Sequence, residues 1–265
     1  MISIVVCVKA VPDQDQADKI RIDPRTKTLT RYDIPLVLNP LDRNALEAAL
    51  VMKEELDAQL TILSMGPPTA GNVVKECLAL GADRGILLSD PAFAGADAFA
   101  TAFTLSMAIN KIESVDCVLC GRASSDGATE WVGPELATFL DLPVVTMVRE
   151  FVSTGGNFWR VKADIEDGLR VVEVEMPAVF TVTHNLNTPR TLSFSGIIKS
   201  RKKDITTWGL DDLDVSADLV GLKGSPTIVS SLKVVESKRS CEIIEGSREE
   251  KADILIKKLA AAGVI

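Results

Sequence analysis

The sequence predicts an α/β protein: a Rossmann-like open, mostly parallel sheet with helices on both faces, an added antiparallel meander and a C-terminal arm. Short β-branched runs alternate with amphipathic stretches over residues 2–140, which is typical of βαβ units. Strand-type runs separated by Gly turns then follow one another over residues 144–183, which indicates the meander. From about residue 187 the chain is rich in Gly, Pro, Ser and charge, which indicates an arm without a core of its own.

The alternating part contains four strands and four helices. The first strand is a β-branched run that ends before Lys9, and a polar excursion with a turn at 23–27 follows it. The apolar residues of NALEAALVMKEEL share one helical face, and Gly81 is a suitable left-handed cap for the next helix. We expect strands at 2–8, 59–66, 84–89 and 115–120, and helices at 44–56, 70–80, 94–112 and 134–140.

The remaining elements are three strands and one helix. The strands are expected at 144–153, 157–166 and 169–183, with turns at Gly155-Gly156 and Asp167-Gly168 between them. A last helix is expected at 247–262, ending near Gly263.

Composition excludes several classes of protein. The chain has 265 residues, 46% of them apolar, and its 29 basic and 37 acidic residues give a net charge of −8. The apolar fraction excludes intrinsic disorder, and an acidic chain is a poor general binder of nucleic acid. No run approaches the roughly 18 apolar residues of a membrane span, and Lys9 comes too early for the core of a signal peptide. We therefore expect a cytoplasmic protein.

Neither the cysteines nor the histidine indicate a catalytic or metal site. The five cysteines are an odd number and are scattered, which argues against a disulfide framework. Cys117 and Cys120 form a CxxC within a strand-type run, where positions three apart face opposite sides of the sheet. We interpret them as buried small hydrophobes. His184 is the only histidine, and we interpret it as exposed or hydrogen-bonded, so that no catalytic residue and no metal are predicted.

Four loops lie where a ligand is expected, at the carboxyl ends of the strands or at a helix entry. They are 9–12, 39–42, 64–68 and 121–133. The last one is the most informative, because Ser124, Ser125 and Thr129 offer hydroxyls and Pro134 marks the start of a helix. Unpaired N–H groups at a helix N-terminus suit a phosphate or pyrophosphate. The loop is neither a Walker A nor a GxGxxG, and a plain surface loop is the alternative interpretation.

Several segments carry a resemblance to a known family. In order along the chain they are VCVKAVPD, LNPLDRNALEAAL, LSMGPP, ALGADRGILLSD, CGRASSDGATEWVGPELA and LNTPRTLSFSGIIKSRKK. Together they resemble the beta subunit of electron transfer flavoproteins. The resemblance implies a heterodimer with an alpha subunit that holds an electron-carrying FAD. It also implies electron relay from flavin dehydrogenases, such as the acyl-CoA dehydrogenases of fatty acid oxidation, to a quinone reductase or similar acceptor.

The resemblance also implies the site residues and the domains. The cofactor-binding positions would be Cys7, Lys9, Asn39, Pro40, Leu41, Asp42, Met65, Arg122, Ala123, Ser124, Ser125, Asp126, Gly127, Ala128, Thr129, Glu130, Trp131, Val132 and Gly133. Phe194 would anchor the chain in a groove of the dehydrogenase, and Lys199 and Lys202 would flank that anchor. The domains would be a nucleotide-binding α/β domain at 1–186, a partner recognition loop at 187–203 and an arm packing on the alpha subunit at 204–265.

The nucleotide of the beta subunit would be AMP in conventional members of the family and a second FAD in electron-bifurcating ones. LLSDPAFAGADAFAT and DGATEWVGPELA look like the bifurcating type. Gln14 and Leu41 stand where conventional members often have aromatics, which leaves room for a second isoalloxazine. Ser124-Ser125 and Ala128 depart from the usual bifurcating loop. FAD is the favoured occupant and AMP the alternative.

Two other function classes are compatible with an α/β fold of this kind. A stand-alone adenine-nucleotide sensor would be a stable colourless monomer and would need no partner for its basic cluster or last helix. An ATP-pyrophosphatase would require a phosphate loop of the SGGxDS kind after the first strand, where this chain has VKAVPDQ.

Overall fold

A nine-stranded sheet lies in the first of two units into which the chain divides, Met1–Ser230 and Ser231–Ile265. The computed structural model describes residues 2–19, 21–22, 29–30, 34–230 and 241–265, so the turn expected at 23–27 lies outside the described residues. The strands are β1 Ser3–Val8, β2 Ala10–Pro12, β3 Arg21–Ile22, β4 Leu29–Thr30, β5 Leu36–Leu38, β6 Gln59–Met65, β7 Arg84–Leu88, β8 Cys117–Gly121, β9 Val144–Ser153, β10 Phe158–Ile165, β11 Gly168–Glu175, β12 Ala178–Val182 and β13 Ile205–Trp208. The helices are α1 Pro40–Leu56, α2 Gly71–Leu80, α3 Ala98–Asn110, α4 Val132–Leu140, α5 Phe194–Ser200, α6 Leu210–Leu213, α7 Gly221–Gly224 and α8 Arg248–Ala261.

The sheet is open and mostly parallel, as predicted. Its order is β11-β10-β9-β12-β8-β1-β6-β7-β13. All pairs from β9 across to β13 are parallel, whereas β9, β10 and β11 pair antiparallel and form the predicted meander. Two small antiparallel pairs, β2-β5 and β3-β4, lie outside the main sheet.

Helices cover both faces of the sheet, so that two apolar layers form. The layer containing Ile4 and Val6 is closed by α1 and α2, and the layer containing Val5 and Cys7 is closed by α3 and α4. Successive strand residues point to opposite faces, which explains why Cys117 lies in the first layer and Cys120 in the second. Both cysteines are buried, as predicted, and His184 is exposed, as predicted.

The helix boundaries follow from their caps. Pro40 occupies the first turn of α1, so this helix begins earlier than the sequence indicated. The Asp97 carboxylate accepts the N–H of Ala100, so α3 begins at 98 and not at 94. Gly81 ends α2 at φ 135°, and a Cβ there would lie 2.9 Å from Leu50 Cδ2, so glycine is required.

The prediction of a single strand at 169–183 was wrong, because the structure has two strands there, β11 and β12. Pro177 has no N–H for a ladder, and the chain breaks there between β11 and β12. β11 continues the meander as the edge strand beside β10, whereas β12 returns into the sheet between β8 and β9. The consequence is that Thr181 lies beside Cys120 in the parallel part of the sheet.

The segment after residue 187 is more ordered than its composition indicated. Ser193 caps the short helix α5, and β13 pairs parallel with β7. Trp208 and Val220 are buried in the second apolar layer, so residues 205–230 contribute to the first unit. In the second unit, Ser247 and Glu250 form a capping box that starts α8, close to where the last helix was expected.

Candidate functional site

Three adjacent parallel strands, β6, β1 and β8, end at one edge of the sheet. Cys7 is in register with Leu63 of β6 on one side and with Cys120 of β8 on the other. Lys9, Met65 and the loop after β8 therefore come to the same edge, where ligands of open α/β sheets are bound. Three of the four loops selected from the sequence meet here for this reason.

Asp42, in the first turn of α1, joins the ends of β1 and β8. Its carboxylate accepts the N–H of Lys9 at 2.8 Å and the N–H of Gly121 at 2.9 Å. Burial raises the pKa of Asp42 to about 6, and the same hydrogen bonds limit that rise. A Cβ on Gly121 would lie 2.5 Å from Asp42 Oδ1, so only glycine allows this approach. The carboxylate is a structural link beneath the loop.

Asn39, just before α1, holds the loop that follows β8. Its Nδ2 donates to Ala123 O at 2.9 Å, and its Oδ1 accepts the N–H of Ser125 at 3.1 Å. The side chain is buried, so both groups need these partners. The amide thereby fixes the distance between the entry of α1 and the first half of the loop.

The loop from Gly121 to Gly133 is shaped by its own short contacts. The Ser124 hydroxyl accepts the N–H of Gly127 at 3.3 Å, and the Ser124 carbonyl accepts the N–H of Ala128 at 2.9 Å. Ala128 and Glu130 have positive φ angles of 49° and 63°, an uncommon conformation for residues with a side chain. Such conformations occur at ligand sites more often than elsewhere.

Positive charge is placed over this loop by Lys9, the residue that follows β1. Lys9 Nζ lies 2.6 Å from Asp126 Oδ1 and 3.3 Å from Ser124 Oγ. Across the loop, Arg122 lies 3.3 Å from the carboxylate of Glu130. Both cations are about two-fifths to one-half exposed, so they remain accessible to an anion.

Several hydrogen-bonding groups of the loop lack a partner in the part of the chain that the structure describes. Arg122 Nε and Ser125 Oγ are buried and have no hydrogen-bond partner among the residues that the structure describes. The N-terminus of α4, which follows Trp131, has no side-chain cap within that same part of the chain. Uncapped N–H groups and unpaired donors favour an anion. The residues present therefore fit the phosphates of a nucleotide.

Two hollows flank the loop. One, of about 390 Å³, contains the exposed indole of Trp131. It is lined by Arg122, Ala128, Thr129, Glu130, Trp131, Pro134, Thr146, Met147 and Thr181. The other has Ser125 and Gln14 in its lining, and Gln14 Nε2 donates to the Ser125 carbonyl at 3.2 Å.

Sequence reasoning missed three residues that line the larger hollow, Thr146, Met147 and Thr181. Thr181 Oγ1 accepts the N–H of Met147 at 3.1 Å, which supports Met147 at a positive φ of 59°. These residues belong to β9 and β12 and reach the loop only because β12 lies between β8 and β9. No local pattern in the sequence carries that information.

The predicted site residues differ in how directly they reach the loop. Lys9, Asn39 and the residues from Arg122 to Asp126 are brought together through the contacts above. Cys7 is buried in β1, and burial raises the pKa of its thiol to about 12. Met65 packs on the second apolar layer at the end of β6. Both residues are at the predicted edge of the sheet, where Cys7 is buried and Met65 is half-buried.

The predicted partner-binding residues form a different surface. Phe194 is 81% exposed at the start of α5, and Lys199 and Lys202 are exposed near the end of that helix. Leu192 and Ile198 are exposed beside them. An exposed aromatic with neighbouring apolar and basic side chains is typical of a protein-binding surface.

Comparison with known proteins decides the family. The model of the electron transfer flavoprotein domain matches residues 26–213. This chain belongs to the electron transfer flavoprotein family. The resemblance inferred from the sequence motifs is thereby confirmed, and the role that follows is electron transfer.

Relatives within the electron transfer flavoprotein family match almost the whole chain. An electron transfer flavoprotein subunit beta from Clostridium acetobutylicum is 43% identical over 257 residues, 97% of each chain. The caffeyl-CoA reductase-Etf complex subunit CarD of Acetobacterium woodii is 42% identical over 264 residues, 99% of each chain. The acryloyl-CoA reductase electron transfer subunit gamma of Anaerotignum propionicum is 36% identical over 269 residues, again 99% of each chain.

Within the described residues, no group of three or more His, Cys, Asp and Glu side chains is placed to hold a metal ion. In the same residues, no helix has both the length and the apolar character needed to cross a membrane.

Proposed function

We propose that this chain is the beta subunit of a heterodimeric electron transfer flavoprotein and that it binds an adenine nucleotide at the loop after β8. Lys9, Asn39 and the residues from Arg122 to Gly133 would hold that nucleotide. The observation that carries the proposal is a set of donors around one loop that lack a side-chain partner among the described residues, namely Arg122 Nε, Ser125 Oγ and the N–H groups at the N-terminus of α4. Their position at the carboxyl edge of the sheet agrees with it.

The phosphates would lie over the loop and the first turn of α4. Lys9 and Arg122 supply positive charge on its two sides, and the backbone N–H groups of α4 supply uncharged donors. Asn39 and Asp42 stay beneath and keep the loop in place. When bound, a flavin would supply the redox chemistry, so the chain needs only to bind it, orient it and limit its contact with water.

FAD is the nucleotide that we favour for this site, with AMP as the alternative. Gln14 and Leu41 leave space beside the loop where bulkier aromatics are common in conventional members of the family. A second flavin in the beta subunit would place this protein with the electron-bifurcating type. The relatives include subunits whose names refer to caffeyl-CoA reductase and acryloyl-CoA reductase.

The partners we propose are an alpha subunit, a flavin dehydrogenase acting on CoA esters, and a quinone reductase or similar acceptor. Phe194 would anchor the dehydrogenase, and Lys199 and Lys202 would steer it electrostatically. In the second unit, Ile254, Leu255 and Ile256 of α8 are exposed, and we propose that this helix packs on the alpha subunit. All five cysteines are unpaired, which agrees with a reducing, cytoplasmic location.

The test is the nucleotide content of the purified heterodimer, extracted and quantified per complex. Two FAD and no AMP are expected if this chain holds a second flavin. One FAD with one AMP would make the site a conventional AMP site and would contradict the FAD assignment. A complex with its alpha subunit that contains no flavin would contradict the proposed function as a whole.

A further inference from the structure

Arg190 connects the segment before α5 to α1 through two carboxylates. Its Nε lies 2.9 Å from Glu47 Oε2 and 3.1 Å from Glu47 Oε1, and its backbone N–H donates to Glu47 Oε2 at 2.9 Å. Nη1 of Arg190 lies 2.6 Å from Glu54 Oε1. Glu47 is buried, and the guanidinium of Arg190 gives its carboxylate a charged hydrogen-bonding partner. A planar guanidinium can bridge two carboxylates, which an ammonium group cannot do in the same way.

A second link lies three residues upstream. Asn44 Nδ2 donates to Asn187 Oδ1 at 2.9 Å and to Asn187 O at 3.0 Å, and Asn187 Nδ2 donates to Asn44 O at 2.9 Å. Both links attach the segment to the same helix, α1. The backbone from 187 to 190 is therefore fixed before α5 begins.

The helix α5 is held from its other side by α2. A Cβ on Gly196 would lie 2.2 Å from the carbonyl oxygen of Ala79, so α5 packs directly on the last turn of α2. Lys203 Nζ, just after α5, donates to the carbonyl of Ala82. The chain is therefore attached before, within and after α5.

Phe194 lies between these attachments and is 81% exposed. The apex of the segment is thus free, while its flanks are tied to α1 and α2. A side chain displayed from a fixed backbone loses less conformational entropy on binding than one on a mobile loop. The folded backbone therefore sets the position of Phe194 before a partner binds.

We propose that Arg190 and Gly196 are positioning residues that preorganise Phe194 for docking to the dehydrogenase. This inference rests on the proposed function, because it assigns the segment's order to the docking step. Both residues act through Phe194 and not by contact with the partner. Arg190 sets the approach of the chain to α5, and Gly196 sets the depth at which α5 sits on α2.

The test uses the heterodimer and an acyl-CoA dehydrogenase that reduces it. In Arg190→Gln we expect amide hydrogen exchange over 191–200 to be at least tenfold faster. We expect the KM for the heterodimer in dehydrogenase-coupled reduction to rise three- to tenfold, with kcat and nucleotide content unchanged. Arg190→Lys should give intermediate values, because it restores one ion pair. A purely structural role would lower nucleotide content and kcat together.

The matched control is Arg160→Gln, which removes a surface ion pair of 2.9 Å with Glu173 on the meander and should change neither readout. Glu54→Gln is the milder variant if Arg190→Gln does not fold, because Glu54 is exposed. Unchanged exchange over 191–200 would show that Arg190 does not fix this segment. Faster exchange with an unchanged KM would show that the order of the segment plays no part in docking. An unchanged KM in Phe194→Ala would instead show that the docking surface itself is misassigned.

Discussion

Gly133 and Thr181 approach each other so closely that a Cβ on the glycine would lie 2.3 Å from Thr181 Cγ2. The same Cβ would lie 3.2 Å from Cys120 Sγ. This contact brings the first turn of α4 directly onto β12 and β8. The uncapped N-terminus of α4 is therefore fixed at the edge of the sheet where the loop from 121 to 133 begins and ends.

Gly133→Ala is expected to move α4 outward and to weaken nucleotide binding at least tenfold, because the added methyl group has no space. Titration of the nucleotide-depleted heterodimer with AMP would measure this. Thr181→Ser removes the opposing methyl group and keeps the hydroxyl that accepts the N–H of Met147. The double variant should recover part of the affinity. Wild-type affinity in Gly133→Ala alone would contradict the close contact.

Asp42 should make stability depend on pH. Its pKa is raised on folding from 3.8 to about 6, so the folded chain holds the proton more tightly than the unfolded chain. The stabilisation from that proton is fully present below pH 3.8 and is lost as the pH rises through 6. At about 1.4 kcal/mol for each pKa unit, the loss is about 3 kcal/mol.

The measurement is the urea midpoint of wild type and Asp42→Asn between pH 4 and pH 7.5. The advantage of the wild type over the variant should shrink as the pH rises. Asparagine cannot accept from both Lys9 and Gly121, so one backbone N–H loses its partner at every pH, at a cost of roughly 1–3 kcal/mol. Parallel curves for the two proteins would show that Asp42 does not titrate in this range.

Lys9→Gln should weaken phosphate binding. The ammonium group lies over the loop, 2.6 Å from Asp126 and 3.3 Å from Ser124, and a charged hydrogen bond contributes about 1.5–3 kcal/mol. Because Lys9 is about half exposed, we expect the lower end of that range, or roughly a tenfold rise in the Kd for AMP. Calorimetry on the heterodimer would measure it. Lys162→Gln, which breaks a 2.8 Å pair with Glu150 on the meander, is the control.

Trp131 should report on occupancy of the larger hollow. Its side chain is 63% exposed, whereas Trp159 and Trp208 are only 1% and 8% exposed. Acrylamide should quench a component of the emission that Trp131→Phe removes. Nucleotide binding to the depleted heterodimer should protect that component at least twofold. If the nucleotide leaves the quenching of Trp131 unchanged, the hollow beside Thr181 is not part of the site.

Phe194→Ala should weaken dehydrogenase-coupled reduction without affecting nucleotide content. Burial of one aromatic side chain contributes about 1.5–3 kcal/mol, so the KM for the heterodimer should rise about tenfold or more. Phe158→Ala on β10 is a matched control, since this phenylalanine is 56% exposed on the meander. Equal KM values for wild type and Phe194→Ala would remove Phe194 from the anchor role.

Most of the fold could be predicted because local periodicity and caps decide it. The runs at β1, β6, β7 and β8 are buried on both faces, and their β-branched composition is visible without any knowledge of their neighbours. The break at Pro177 was missed because strand-forming residues continue on both sides of it. The short strand β13 and helix α5 were missed because their stability comes from contacts with β7 and α2.

The site could be predicted only as far as sheet topology determines it. Lys9 and the loop after β8 follow directly from strands whose carboxyl ends share one edge. The links made by Asn39 and Asp42 depend on side-chain geometry across more than 75 residues, which no spacing in the sequence encodes. The same holds for Arg190, whose partners on α1 lie more than 130 residues away.

The place of β12 in the sheet also sets an order for assembly during synthesis. A ribosome releases β1, β6, β8 and β9 before residues 178–182, yet β12 pairs with both β8 and β9 and separates them. A nascent chain that ends before residue 178 therefore has the loop and α4 but lacks Thr181 beneath them. The nucleotide site becomes complete only when two-thirds of the chain has left the exit tunnel, and a chain stalled earlier exposes the edges of β8 and β9 to aggregation.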